Sequence, residues 1–189
     1  LISQSKWITD DLRRYGHHCY QVPWYSLDKS KFKPTKKGNK IYAYCPANNP
    51  TFYRLDIIEK IKNATKYEIV IGDGSFDYSR MPEIYSECFI GLRFPYHDGL
   101  ASTVQELGLM GIKCVHKGET PSGVNYTTLD NILDIINREA KNIGTIDYDL
   151  ADKVDKFLSI TSSFFKVNTY FKKQQLAISE FTNKLLMSN

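Results

Sequence analysis

Short apolar runs and helical patterns alternate along the chain from residue 40 onward. Between the runs, apolar residues recur at helical spacing, as at Leu55, Ile58 and Ile61. Short apolar strands separated by helices predict a parallel sheet with helices on both faces, which is a Rossmann-like α/β fold. In such sheets, ligands bind at the carboxyl ends of the strands. The predicted strands are KIYAYC, YEIVIG, CFIGL and IKCVH, and the predicted helices cover residues 55–63, 82–87, 103–110 and 129–142.

The pattern changes at both ends of this region, which divides the chain into four segments. Residues 1–28 predict a strand end, a short helix and a strand in CYQVP, and residues 29–39 predict a lysine-rich linker. Residues 40–145 form the predicted sheet domain. Residues 146–189 predict further helices that pack on the core or dock on another domain, with a membrane-facing stripe as the alternative. Their aromatic residues are Phe157, Phe164, Phe165, Tyr170, Phe171 and Phe181.

Composition sets limits on the class of protein. Of the 189 residues, 42% are hydrophobic and 24% are charged, which is typical of a globular protein. No apolar run is long enough to span a bilayer. The sequence starts at Leu1 in what reads as the middle of a domain, which suggests a piece of a longer protein. The four cysteines have no metal-ligand spacing and are interpreted as reduced packing residues in a cytoplasmic setting.

Six lysines between positions 29 and 40 are the one concentrated source of the net charge of +4. The ordinary interpretation is a solvated linker, and an anionic surface, a lipid or an acidic acceptor is the alternative. Nucleic acid is not indicated as a partner, because interleaved aromatic residues and a known module signature are both missing from the sequence. We therefore expect a cytoplasmic protein, with peripheral attachment to a membrane as an open alternative.

The segment YHDGLASTVQE, residues 96–106, contains a predicted helix start. Ser102 and Gln105 have the spacing of a capping box, in which the serine hydroxyl accepts from the Gln105 amide and the glutamine reaches back. Backbone amides at such a helix start lack partners within the helix, and the helix dipole favours an anion there. The segment thus predicts an anion site.

Two acidic residues flank this predicted anion site. Asp98 precedes the turn, Glu106 lies about one helical turn inside the helix, and Gly99 permits close approach of a phosphate. Two acceptors on either side of a phosphate suit a phosphate ester that carries several hydroxyl groups. A plain surface helix with acids nearby has the same spacing, so the spacing alone leaves both interpretations open.

The spacing of the two acids, with seven residues between Asp98 and Glu106, resembles the Glu-x7-Glu motif of retaining GT-B glycosyltransferases, particularly family 4. Asp98 stands in place of the first Glu of that motif. YEIVIGDG resembles the second strand of the family's C-terminal domain, and MPEIYSECFIGLRFPYHDGL resembles its short helix, next strand and acidic turn. VQELGLMGIKCVHKGETPSG resembles the helix, strand and glycine-bearing loop that follow. Residues 1–28 then resemble the end of the N-terminal GT-B domain, residues 29–39 its linker and residues 40–145 the nucleotide-sugar-binding domain.

The resemblance implies roles for the residues of the turn. Glu106 would bind the ribose hydroxyls, and Asp98 would hold hydroxyls of the donor sugar, which makes these two acids the candidate catalytic residues. His97 is a further candidate because it adjoins Asp98 in sequence, where it could be a polar contact at the cleft. The donor would be a nucleotide-diphosphate sugar, with no metal and no further cofactor required. The other donor-binding candidates are Gly99, Leu100, Ala101, Ser102 and Thr103, and the candidates that line the base are Gly72, Asp73, Tyr78 and Met81.

The sequence departs from the family pattern after the first strand. The family has an Arg and then a Lys there that neutralise the diphosphate, whereas CPANNPTFYR offers Arg54 alone. Arg54 or Arg93 could substitute as a donor-binding cation, the site could bind more weakly, or another chain could complete it. Arg54 also fits a solvated helix start, and Arg93 also fits an ion pair with Asp98.

The leading hypothesis is the nucleotide-sugar-binding half of a retaining, hexosyltransferase-like glycosyltransferase that lacks most of its N-terminal domain. This chain would bind the nucleotide sugar but transfer little sugar to its acceptor, which could be a glycan, a lipid or a protein. One alternative is a degenerate GT-B module that only binds nucleotide or a partner, which the missing Arg and Lys favour. Another is a non-hydrolysing sugar-nucleotide 2-epimerase, which shares the architecture but needs a complete second domain.

Overall fold

The computed structural model describes residues 1–3, 6–21, 27–96, 98–118 and 120–159. At the N-terminus, strands β1 (Ile2–Ser3) and β2 (Tyr20–Gln21) pair in parallel, and helix α1 (Lys6–Arg14) lies between them in sequence. Gly16 follows α1 with a φ of 81°, the left-handed conformation that commonly ends a helix. The continuation of the predicted CYQVP strand beyond residue 21 lies outside the described residues.

Five parallel strands form the main sheet: β3 (Lys40–Tyr44), β4 (Ile69–Gly72), β5 (Cys88–Leu92), β6 (Lys113–Val115) and β7 (Gly123–Val124). Their order in the sheet is β4-β3-β5-β6-β7. The strand β3 pairs with β4 on one side and with β5 on the other, so the direction of winding reverses between β3 and β5. The carboxyl ends of β3 and β5 therefore form the switch point at which open α/β sheets bind ligands. The predicted Rossmann-like parallel sheet is confirmed, with β7 as a strand that the sequence did not indicate.

Helices cover both faces of this sheet, as predicted. One hydrophobic cluster combines residues of α3 (Met81–Ser86), α4 (Ser102–Leu109) and a helix over residues 148–159, and a second combines residues of α2 (Leu55–Ala64) and α5 (Leu129–Glu139). All five residues of β5 are buried, because this strand lies between the two clusters. Most helix ends lie within a residue of the predicted ends, although α5 passes into a 3-10 turn at Ala140–Asn142.

The lysine-rich segment packs against the sheet domain. Phe32 is 1% exposed and belongs to the same hydrophobic cluster as α3 and α4. Lys37 is buried and lies 3.9 Å from Asp147, and Lys29 forms a 2.7 Å ion pair with Asp155 on the last described helix. The segment is thus anchored by one aromatic side chain and two ion pairs.

The C-terminal region is described as far as residue 159. A helix begins at residue 148 and is still continuous at 159. Of the aromatic residues predicted to pack there, Phe157 is partly buried against the core, and the others lie outside the described residues. Within the described part of the chain, no helix is both long enough and apolar enough to cross a membrane.

Candidate functional site

Two adjoining cavities open at the carboxyl edge of the main sheet. The first, called here the tyrosine cavity, has a volume of about 210 Å³, and the second, called the turn cavity, has a volume of about 560 Å³. They share Tyr44 and Gly74 as lining residues and therefore lie side by side next to the switch point, and the two cavities together are called here the depression. The tyrosine cavity is lined by Tyr42, Tyr44, Gly72, Gly74, Phe76, Tyr78, Met81, Tyr85, Ser102, Thr103 and Glu106, and the turn cavity by Tyr44, Pro46, Ala47, Asn48, Asn49, Tyr53, Asp73 and Gly74.

The four residues expected to line a base all reach this depression. Gly72, Tyr78 and Met81 line the tyrosine cavity, and Asp73 lines the turn cavity. Gly72 also has a packing role, because a Cβ atom there would lie 1.9 Å from the Tyr42 hydroxyl. The end of β4 thus forms one wall of the depression.

The acidic turn contributes to the depression through its helical half. Ser102, Thr103 and Glu106, all on α4, line the tyrosine cavity. Residues 98–101 lie before the helix and are not part of the lining of either cavity. His97 lies outside the described residues. The structure therefore brings Glu106, rather than Asp98, next to the predicted base-lining residues.

Glu106 is a buried carboxylate whose two oxygens accept tyrosine hydroxyls. It is 3% exposed, and Tyr78 donates to Oε1 at 3.2 Å while Tyr85 donates to Oε2 at 2.8 Å. Burial raises the pKa of Glu106, and the two tyrosine hydrogen bonds oppose that rise. Burial also raises the pKa of Tyr78 to about 12, so its hydroxyl stays protonated and can donate.

The tyrosine partners of Glu106 lie in segments that the sequence treated separately. Tyr78 was predicted only as a base-lining residue, and Tyr85, on α3, was not predicted as a site residue. Tyr85 packs edge-on against Tyr42 with 4.9 Å between ring centroids, which fixes its hydroxyl under the carboxylate. A carboxylate has about four lone-pair positions, so Glu106 can still accept from a ligand hydroxyl.

The predicted capping box at the start of α4 is wrong. Ala101 is the N-cap residue and no side chain caps the helix, so Ser102 is already the first helical residue. Gln105 is fully buried, and neither atom of its amide group has a partner in the described part of the chain. The buried position of Gln105 prevents it from reaching back to the N-cap. Consequently the Ser102 hydroxyl does not take up an amide of the first turn.

Asp98 is held by Arg93, which follows β5 directly. The Arg93 Nε atom donates to Asp98 Oδ2 at 2.5 Å, and Nη2 donates to Oδ1 at 3.2 Å. The guanidinium also stacks on two aromatic rings, with its central carbon 4.5 Å from the Tyr44 centroid and 5.2 Å from the Tyr53 centroid. The ion pair anticipated between Arg93 and Asp98 is therefore present, and Arg93 contacts two rings of the turn cavity without lining it itself.

Arg54 lies at the start of α2 in a left-handed conformation, with a φ of 58°. Its guanidinium donates to both oxygens of Asp56, at 2.9 and 3.0 Å, and lies 5.1 Å from the Tyr96 ring centroid. These contacts fit the interpretation of Arg54 as a helix-start residue. Neither cavity has a Lys or Arg among its described lining residues.

His116 was not predicted as a site residue, because in the sequence it is the last residue of the predicted strand IKCVH. It follows β6 directly, is 1% exposed, and its Nδ1 atom lies 3.8 Å from Asp98 Oδ2. Burial lowers the pKa of His116, and the Asp98 carboxylate opposes that effect. Its position could have indicated a site residue, because His116 lies at the carboxyl end of β6, which pairs with the strand that precedes the acidic turn.

The parallel sheet, with helices on both faces and cavities at its carboxyl edge, defines a Rossmann-like α/β domain. A solved structure of sucrose-phosphate synthase from Thermosynechococcus elongatus has a similar fold, with a TM-score of 0.61 and 12% sequence identity. The similarity covers 91% of this chain and 58% of that one, so the chain spans little more than half the length of this neighbour. No protein-family model and no curated protein matches the sequence. At this identity the likeness shows a glycosyltransferase-like fold.

Proposed function

We propose that this chain carries the donor-binding domain of a glycosyltransferase, which binds a nucleotide-diphosphate sugar and transfers the sugar with retention to an acceptor that another domain binds. The observation that carries the proposal is a buried carboxylate, Glu106, at the edge of an aromatic cavity beside the switch point of a GT-B-like sheet. Such an edge is where open α/β sheets bind nucleotides.

The tyrosine cavity has the parts that a nucleoside needs. Tyr44, Phe76 and Tyr78 provide ring surfaces for a planar base, and Glu106 provides acceptor positions for ribose hydroxyls. Ser102 and Thr103 line the same cavity at the uncapped start of α4. A diphosphate placed there would receive backbone amides and the positive end of the helix dipole.

In this proposal the chain assists departure of the nucleoside diphosphate. The α4 amides stabilise the charge that develops on the leaving diphosphate while the sugar gains positive character. Asp98 holds hydroxyls of the donor sugar, and Arg93 fixes the direction of that carboxylate. Retention of the anomeric configuration and the lack of a metal requirement are parts of the proposal that come from the family resemblance, and a cytoplasmic site of action comes from the cysteine pattern.

Calorimetric titration with UDP, GDP and ADP and their common sugar conjugates, each with and without magnesium, tests the proposal. We expect one nucleotide to bind saturably and independently of magnesium. Glu106→Gln keeps the shape of the side chain but removes its charge, and losing a hydrogen bond to a charged group costs about 1.5–3 kcal/mol. The nucleotide is therefore expected to bind about 10- to 150-fold more weakly to this variant.

Glu83→Gln is the matched control, because Glu83 lies on α3 with an exposed side chain and forms an ion pair with exposed Arg80. This variant is expected to bind as the wild type does. Equal affinity of the Glu106→Gln variant and the wild type for every nucleotide would refute the assigned role of Glu106. Thermal unfolding of each variant checks that a lost affinity does not reflect a lost fold.

A binding module without transferase activity is the second candidate function. It is favoured by the charges at the site, because no Lys or Arg lines either described cavity and both Glu106 oxygens already accept tyrosine hydroxyls. The two candidates differ in the sugar part of the donor. A transferase is expected to bind one nucleotide sugar more tightly than its free nucleoside diphosphate, whereas a module that recognises only the nucleotide is expected to bind both alike.

A further inference from the structure

The turn cavity has no ligand in the function proposed above. There the nucleoside occupies the tyrosine cavity, the diphosphate lies at the start of α4, and Asp98 holds the donor sugar. The turn cavity is the larger of the two cavities at this edge, with a volume of about 560 Å³ against about 210 Å³. Its volume lies within the range of about 300–1,000 Å³ that is typical of small-molecule sites. A second ligand can therefore bind next to the nucleotide.

The turn cavity is formed by two turns that are joined to each other. The turn after β3 carries Asn48 and Asn49, and the turn after β4 carries Asp73. The Ala47 amide donates to the Asp73 carbonyl at 2.9 Å, which joins the two turns. The Asp73 carboxylate accepts the backbone amide and the hydroxyl of Ser75 at 2.9 and 2.6 Å. The carboxylate of the cavity is therefore held in place before a ligand binds.

The polar side chains of the turn cavity suit hydroxyl groups. Asn48, Asn49 and Asp73 are exposed, so their side chains are open to a ligand. An asparagine amide group donates through its nitrogen and accepts through its oxygen, and a sugar hydroxyl likewise does both. Both hydrogen bonds from Ser75 end on Oδ1 of Asp73, and a carboxylate has about four lone-pair positions, so Asp73 can still accept from a ligand. These groups match neighbouring hydroxyls of a sugar ring.

Two aromatic rings give the turn cavity an apolar wall. Tyr44 and Tyr53 line the cavity and pack edge-on, with 5.1 Å between their ring centroids. The guanidinium of Arg93 lies 4.5 Å from the Tyr44 centroid and 5.2 Å from the Tyr53 centroid, which holds both rings. The C–H groups of a sugar ring are apolar and can pack on such rings while the hydroxyl groups reach polar side chains. The cavity therefore has the contacts that a carbohydrate needs.

The charge at the turn cavity favours an uncharged sugar. The hydrogen bonds from Ser75 lower the pKa of the Asp73 carboxyl, so this group is ionised at neutral pH. No Lys or Arg is among the described lining residues of the cavity. Arg93, which contacts the rings, is paired with Asp98. A sugar that carries a carboxylate or a phosphate would therefore be repelled by Asp73.

We propose that the turn cavity binds an uncharged sugar ring and that this ring belongs to the acceptor. The cavity shares Tyr44 and Gly74 with the tyrosine cavity, so the sugar and the nucleotide lie side by side. In this proposal Asp73 binds the sugar rather than the base, and another domain binds the rest of the acceptor. That the sugar is an acceptor rests on the proposed function. The sugar site is a property of this chain and can be tested without a nucleotide.

The transfer step of the proposed function then joins the two ligands. The oxygen of an acceptor hydroxyl forms a bond to the anomeric carbon of the donor sugar, and the bond from that carbon to the diphosphate oxygen breaks. The electron pair of the broken bond stays with the diphosphate, which also receives the hydroxyl proton. Arg93 connects the two sugars, because it contacts the ring of Tyr44 and is hydrogen-bonded to Asp98, the residue assigned to the donor sugar.

The first experiment titrates the whole chain with glucose, mannose, galactose and their methyl glycosides. It follows the side-chain amide signals of Asn48 and Asn49 by NMR, with Asn48→Ala and Asn49→Ala used to assign them. We expect one of these sugars to shift the signals saturably, with a Kd of about 1–10 mM. The titration extends to about 100 mM, at which a site with a Kd of about 10 mM is about nine-tenths filled. The lack of a saturable shift with every one of these sugars would overturn the proposal.

Asp73→Asn tests the carboxylate. The amide oxygen of asparagine can still accept from Ser75, so the turn is expected to keep its shape. Loss of a hydrogen bond to a charged group is expected to weaken sugar binding about tenfold. Asp77→Asn is the matched control, because Asp77 accepts the backbone amide and the hydroxyl of Ser79 in the same way, at 2.8 and 2.7 Å, and is not among the described lining residues of the turn cavity. Equal affinity of the Asp73→Asn variant and the wild type would contradict the proposed site.

The uronic acid of the best-binding sugar tests the charge of the ligand. It places a second carboxylate near Asp73, and we expect it to bind about fivefold more weakly than the uncharged sugar. Asn48→Ala, at an exposed position, is expected to weaken binding of the uncharged sugar by a similar factor, because one neutral hydrogen bond is lost. Equal binding of the sugar and its uronic acid would overturn the assignment of an uncharged ligand.

A titration of the sugar in the presence of saturating UDP, GDP or ADP separates this proposal from the proposed function. Unchanged or tighter sugar binding supports two adjacent sites. Displacement of the sugar by a nucleoside diphosphate would overturn the acceptor assignment, because the two ligands would then share one place. If the sugar binds and none of the three nucleotides does, the sugar site stands and the proposed function fails. Nucleotide binding without sugar binding leaves the proposed function intact and overturns the sugar site.

Discussion

The hydrogen bond from Tyr85 to Glu106 is expected to be the stronger of the two that hold this carboxylate, and Tyr85→Phe tests that expectation. Tyr85 is 1% exposed and its hydroxyl lies 2.8 Å from Oε2, whereas Tyr78 is 46% exposed and its hydroxyl lies 3.2 Å from Oε1. Removal of the Tyr85 hydroxyl leaves a buried carboxylate oxygen one donor short. Removal of the Tyr78 hydroxyl affects an oxygen on the side of the cavity, where water can replace the phenol.

The magnitude follows from the charge on Glu106. A hydrogen bond to a charged group contributes about 1.5–3 kcal/mol, so Tyr85→Phe is expected to lower the free energy of unfolding by about 2 kcal/mol at about pH 8. At about pH 4 the carboxyl is protonated, since burial raises its pKa, and the loss is expected to fall to about 1 kcal/mol, as for a neutral hydrogen bond. Tyr78→Phe should cost less than about 1 kcal/mol at either pH, because its partner oxygen regains water.

Urea-induced unfolding of the wild type and both variants, at the two pH values, measures these differences. Tyr15→Phe is the matched control, since Tyr15 is 76% exposed. The reasoning is refuted if Tyr78→Phe costs as much as Tyr85→Phe, or if the cost of Tyr85→Phe is the same at both pH values. The second result would mean that Glu106 does not titrate between them and that the effect of burial on its pKa is misjudged.

Two further predictions concern the acid stability of the fold and the wall of the tyrosine cavity. Burial lowers the pKa of His116 below its ordinary value of about 6.5, so the unfolded chain takes up this proton first as the pH falls. The stability that is present above about pH 6.5 is therefore lost as the pH falls towards the pKa of the folded state. His116→Gln should flatten this part of a plot of urea midpoint against pH, and an unchanged plot would contradict the prediction. Gly72→Ala places a Cβ atom 1.9 Å from the Tyr42 hydroxyl. We therefore expect the free energy of unfolding in urea to fall by about 1–3 kcal/mol and nucleotide binding to weaken. Wild-type values for both would show that Tyr42 moves aside without cost.

The central part of the fold could be predicted from sequence because its signals are local. The strands β3, β4, β5 and β6 have three to five residues each, most of them apolar, and the helices between them show helical spacing. The strand β7 has two residues, Gly123 and Val124, and a pair of residues has no period to recognise. Its position is set by pairing with β6, which is a tertiary interaction.

The candidate site was predictable only where its residues are close in sequence. The spacing of Asp98 and Glu106 located the acidic turn, but the partners of Glu106 are 21 and 28 residues away, and that distance carries no spacing signal. The capping-box prediction failed for a related reason. Gln105 fits the local pattern, yet the side of α4 on which it lies faces the core, and burial decided its environment.

The charges at the site also limit how a nucleotide diphosphate can bind. In the described structure, Arg93 compensates Asp98 and tyrosine hydroxyls hold Glu106, so neither acid is matched by a spare cation at the cavities. A helix start supplies the equivalent of about half a positive charge, which falls short of the charge on a diphosphate. The remainder must come from Arg93 after it leaves Asp98, or from another chain or domain.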